Sequence, residues 1–150
     1  MQPKHICCSH ALIIQHDEKQ AFHHWQSTMS SGVQAFIQCR MEDAKNYFNA
    51  ALEIAFLRSG CVSNEFFVVA QLVKPAEFLV EVYLCEENIR GASMVMLAVK
   101  EIVESCRLQC TTDEQESIDM LNCKIEDKRA KASPFSGRVI RFPNARQQIH

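Results

Sequence analysis

Residues 22–55 read FHHWQSTMSSGVQAFIQCRMEDAKNYFNAALEIA, and this stretch decides the fold. Phe22, Trp25, Met29, Gly32 and Phe36 recur at steps of three and four, the spacing of one face of an α-helix. Ala44, Phe48, Ala51 and Ala55 repeat that spacing after a polar break, Gln38-Cys39-Arg40-Met41-Glu42-Asp43. Two helices joined by so short a break fold back on each other. Gly32 costs about 1 kcal/mol relative to Ala inside a helix. A sequence that keeps it there gains a close approach between the two backbones, helped by the small side chains of Ala44 and Ala51.

Working outward, the first helix is expected over 18–39 and the second over 42–58. Glu42 and Asp43 open the second and Arg58 closes it, as the helix dipole favours, with Gly60 as a stop. A third helix is expected over 64–87. Its run Phe66-Phe67-Val68-Val69-Ala70-Gln71-Leu72-Val73 also has the composition of a buried strand, but nothing else in the chain offers a partner strand. Pro75 either kinks this helix or opens a new one. A fourth helix over 90–109 carries Ala92, Val95, Met96, Val99 and Ile102 on one face. A fifth starts at a capping box, Thr112 and Gln115, and has only the thin stripe Ile118, Leu121, Ile125. Such a stripe suits a helix that covers one end of a stack. The expected fold class is therefore all-α: about five helices in antiparallel hairpins, a C-terminal capping helix and an extended tail. Residues 1–17 show no sustained period and are expected to form an arm. Residues 18–131 form the domain, and 132–150 a basic flexible tail.

The chain of 150 residues has a net charge of −2, unevenly placed. Residues 1–123 hold nine basic against sixteen acidic side chains, and residues 124–150 hold seven basic against two acidic. The body is acidic, so a nucleic-acid partner is not expected; only the tail offers a basic surface. Eight cysteines with no apparent secretory leader point to thiols in a reducing cytoplasm. No apolar run reaches the roughly 20 residues of a membrane helix.

The hairpin resembles a tetratricopeptide repeat, whose pattern is Trp-x2-Leu-Gly-x2-Tyr, then Ala-x3-Phe, closed by Pro. Gly32, Ala44, Phe48 and Ala51 stand at the family's places; Thr28, Ser31 and Ala35 replace its Trp, Leu and Tyr, and Phe56 its Pro. A weaker copy covers 76–107, with Leu79, Tyr83, Ala92 and Met96 in place and Val80 for the Gly. Ala44 and Ala92 are 48 residues apart, the excess falling in residues 61–74. The resemblance implies about two divergent repeats; a plain helical bundle is the competing reading. It also implies a concave face made by the first helix of each pair. On the first helix that face holds Gln26, Met29, Val33, Phe36 and Ile37. On the third it holds Glu77 and Glu81 among Lys74, Leu84 and Cys85. The Lys and Asn with which some members grip a terminal carboxylate are absent from this face, so an apolar groove for a partner segment is expected instead.

No nucleophile elbow, phosphate loop, dinucleotide fingerprint or zinc-protease motif is present, and no enzymatic activity and no cofactor are expected. His5, Cys7, Cys8, His10 and His16 supply metal-ligand types without the paired spacing of a zinc site, so no metal is expected either. In the tail, Arg138, Val139, Ile140, Arg141 and Phe142 alternate charge with apolar bulk, as a docking peptide does. The sequence thus predicts a cytoplasmic adaptor or chaperone-like module that binds a protein or peptide segment. It is similar in general form to bacterial secretion chaperones of the repeat class. The alternatives are a thiol- or metal-based sensor using the N-terminal His/Cys cluster, and a plain bundle that self-associates through its tail.

Overall fold

The computed structural model describes residues 4–59, 69–105 and 109–132. Among these there are six α-helices and no strand: α1 (Cys8–His16), α2 (Glu18–Ile37), α3 (Met41–Ser59), α4 (Ala70–Cys85), α5 (Ile89–Ser105) and α6 (Thr112–Ala132). The all-α expectation holds, but the count is six rather than five. Gly60, residues 64–68 and the tail residues Arg138, Val139, Ile140, Arg141 and Phe142 lie outside the described residues.

The extra helix is α1, inside the segment read as an arm. Its own amphipathicity is weak and it buries only Ile14. What holds it is polar. Arg58 of α3, only 5% exposed, donates to the carbonyls of Ile14 and Gln15 at 3.3 and 3.0 Å, capping the last turn of α1. Glu53 of α3, 4% exposed, accepts from the backbone N–H groups of Lys4 and His5 at 2.9 Å and meets His5 Nδ1 at 2.8 Å. A buried charge is tolerated only when so partnered. These two residues therefore tie both ends of the N-terminal segment to α3.

The α2–α3 hairpin forms as its spacing predicts. Ala44, Phe48, Ala51 and Ala55 are fully buried, and a Cβ added to Gly32 would lie 2.7 Å from the Phe48 ring. That ring stacks on Phe78 of α4 at 4.6 Å between centroids. In α4–α5 the close approach comes from another position. Val80 is fully buried, and Gly91 of α5 faces Tyr83, where a Cβ would lie 2.7 Å away.

The two hairpin turns are built alike. α2 ends at Ile37, not at 39, because Cys39 takes the left-handed conformation with φ 59°. Arg40 N–H then donates to Ala35 O at 2.8 Å and Cys39 N–H to Phe36 O at 3.0 Å, a Schellman closure of the helix end. Forty-eight residues later Glu87 has φ 57°, with Asn88 N–H on Tyr83 O at 2.7 Å and Glu87 N–H on Leu84 O at 3.0 Å.

Pro75 sits inside α4 and has no N–H for the carbonyl of Gln71 one turn back. The indole N–H of Trp25, on α2, donates to that carbonyl at 3.0 Å. The tertiary contact thus makes good what the proline removes, and α4 continues through it.

α5 is described as far as Ser105, and residues 106–108 of the helix expected over 90–109 lie outside the described residues. The capping box of α6 falls one residue before the expected Thr112 and Gln115. Thr111 Oγ1 accepts from Glu114 N–H at 3.2 Å, and Glu114 Oε1 accepts from Thr111 N–H at 2.9 Å. α6 packs on α4 and α5 through Leu121 and Ile125, and α1 packs on α2 and α3 at the other end.

Candidate functional site

The residues expected on the first helix of each hairpin divide between two neighbouring surfaces. Met29, Val33 and Ile37 line a shallow cavity of about 420 Å³ along α2, edged by the uncharged Ser30, Gln34 and Gln38. Ile37 is 73% exposed. No charged side chain occurs from Trp25 to Cys39, so this face of α2 is apolar and electrically neutral. Gln26 is exposed and lines neither surface.

Phe36, Glu77 and Glu81 come together in a second cavity of about 290 Å³ walled by α2, α4 and α6. Its floor is Phe36, Phe78 and Leu121, with the 60%-exposed Met120 at its edge. Glu77 and Glu81 stand one turn apart on α4, and each already has a cation. Lys74 lies 3.5 Å from Glu77, and Lys124 of α6 lies 3.4 Å from Glu81. Ion pairs this exposed are worth about 0–1 kcal/mol. A basic group on a partner can therefore replace either lysine at small cost.

Two features escaped the sequence reading. The first is a larger cavity, about 570 Å³, between α5 and α6, floored by Met96, Val99, Val103, Ile118 and Ile125. Its signal was present: the apolar stripe of α6 is too thin to fill the space opposite the broad stripe of α5. Arg129 crosses its rim, pairing with Glu126 and donating to Ser93 Oγ at 2.8 Å. The second is the pair of buried charges on α3, Glu53 and Arg58. Glu53 interrupts the otherwise apolar run Ala50–Leu57 and Arg58 ends it, and that interruption was the available clue.

At the N-terminal end, Cys7 precedes α1 and its Sγ lies 3.0 Å from His10 Nδ1 and 3.3 Å from Ser9 Oγ. The His10 ring meets His24 of α2 edge-on, 5.5 Å between centroids. Among the described residues no group of three His, Cys, Asp or Glu side chains is arranged to hold a metal ion. No helix among them is long and apolar enough to cross a membrane.

Compared with family models, curated proteins and solved structures, the chain finds no match. The fold itself defines an all-α protein of two helical hairpins, α2–α3 and α4–α5, flanked by α1 and α6.

Proposed function

We propose that this chain is a non-enzymatic interaction module of divergent, tetratricopeptide-like repeat type, acting as an adaptor or chaperone in the cytoplasm. Its partner is a segment of another protein carrying an apolar anchor side chain flanked by Lys or Arg, seated on the α2–α4–α6 face. The observation that carries this reading is the cavity where Phe36, Glu77 and Glu81 meet over the floor of Phe78 and Leu121. An apolar floor supplies most of the affinity through burial, and the two carboxylates on its rim select for positive charge. The similar turns at Cys39 and Glu87 close both hairpins in the same way. The neutral face at Val33 and Ile37 extends the apolar surface along α2.

The test is selection of displayed random peptides against the immobilised full chain, followed by affinity measurement on purified variants. Selected peptides are expected to share an apolar residue next to Lys or Arg. Their affinity should fall about tenfold or more with Glu77→Lys/Glu81→Lys, and comparably with Phe36→Ala. Binders without basic residues, held equally well by wild type and both variants, would contradict the proposal. Binders that match Arg138-Val139-Ile140-Arg141-Phe142 would assign the face to this chain's own tail.

A further inference from the structure

We propose that Cys7 is a thiol modification site, reacting through its thiolate with small disulfides to form a mixed disulfide seated between α1, α2 and α3. This site is separate from the α2–α4–α6 face. Cys7 is not isolated: it stands at the mouth of a cavity of about 350 Å³ whose wall includes the imidazoles of His5, His10 and His24. Ile6, Ile14 and Ile54 give that cavity an apolar floor. A sulfur nucleophile, the His10 imidazole to take its proton and space for a substituent are thus present in one place.

The segment is held firmly enough to preserve that arrangement. Glu53 fixes Lys4 and His5 on α3, and Arg58 fixes the far end of α1. Hydrogen bonds from the Ser9 hydroxyl, the His10 backbone N–H and the His10 ring, with the charge that ring carries once it has taken a proton, lower the Cys7 thiol from its ordinary 9.0 to about 7. The titratable groups facing the site are His10 on α1, His24 on α2 and His5 ahead of α1. Glu53, from α3, is engaged by His5.

The step balances without a further reactant. The Cys7 proton passes to the His10 imidazole. The thiolate attacks one sulfur of R–S–S–R, a Cys7–S–S–R bond forms, and the original S–S bond breaks. The electron pair leaves on R–S⁻, which takes up the proton. Cys7 sulfur is oxidised and the departing sulfur is reduced; excess thiol reverses the reaction. A thiol pKa near 7 suits this exchange at neutral pH. The thiolate fraction rises about 50-fold relative to a thiol at 9, and the lower nucleophilicity takes back nearly tenfold, leaving about a fivefold gain.

The experiment uses the reduced full chain carrying Cys8→Ser, so that Cys7 is the one thiol of its tryptic peptide, with cystamine as the probe disulfide. Modification of each cysteine is followed by peptide mass spectrometry from pH 5.5 to 9.5, with exposed Cys39 and Cys123 as internal references, Cys123 being told from Cys110 of the same tryptic peptide by fragmentation. At pH 7, Cys7 is expected to react about fivefold faster than the references, with a half-maximal rate near pH 7. His10→Ala should move that midpoint upward and reduce the advantage at pH 7. Ser9→Ala, which removes the largest single contribution, should also move it upward. If Cys7 reacts no faster than Cys39 at pH 7, or if its midpoint is unmoved by His10→Ala in a chain of unchanged helicity, the inference is overturned.

Discussion

The α2–α3 hairpin and helix α6 are built to opposite standards. α3 buries Phe48, Ala51, Leu52 and Ala55 against neighbours so close that Gly32 has no room for a methyl group. α6 buries two apolar residues in its 21, Leu121 and Ile125, and leaves about 570 Å³ open between itself and α5. Yet α6 supplies Met120 and Lys124 to the candidate binding face. The difference teaches that rigidity and adjustability are assigned to different helices. The hairpins fix where Phe36, Glu77 and Glu81 stand, while the thinly held α6 is the wall that opens most readily, since local opening follows sparse apolar contact.

Core truncations test that contrast most strongly. Phe48→Ala is expected to cost about 3–5 kcal/mol in urea denaturation, because it empties the centre of a filled core. Ile125→Ala should cost only about 2 kcal/mol, at the low end for such a change, because its site borders space that is already open. Equal costs would break the comparison.

A smaller effect comes from filling rather than emptying. Gly32→Ala gains about 1 kcal/mol of helix propensity, yet should destabilise the protein by about 1–2 kcal/mol overall. The new methyl would strike the Phe48 ring, which cannot yield because Phe78 stacks behind it. A rise in melting temperature would show the hairpin to be looser than described.

The smallest effect sharpens the role of the proline. Trp25→Phe removes the indole donor to Gln71 O and should cost about 1 kcal/mol. In a Pro75→Ala background the alanine supplies its own N–H, so the same change should cost less. A double-mutant cycle measures the difference. Zero coupling would mean the indole bond does not compensate the proline.

The hairpin was legible because its information is local. Gly32, Ala44, Phe48 and Ala51 declare a helical face by spacing and a close approach by size. Helix α6 was legible for the same reason, apart from a one-residue shift of its cap from Thr112 to Thr111. Helix α1 was not legible, because its support comes from Glu53 and Arg58, more than forty residues away, and not from a stripe of its own. The ends of α2 and α4 were hidden in another way. Their left-handed closing residues are Cys39 and Glu87, where sequence rules look for glycine. On the face itself, the sequence brought Glu77 and Glu81 onto one turn, but it could not reveal that Lys74 and Lys124 pair with them.

The central claim is that the α2–α4–α6 face is where a partner segment docks. Hydrogen exchange of the full chain, with and without a saturating selected peptide, tests it most directly. Slowed exchange is expected in α6 and in the second half of α2, where the wall is free to open, with α1 unchanged. Protection confined to α1 and the N-terminal half of α3, or no change in α6, would contradict the account.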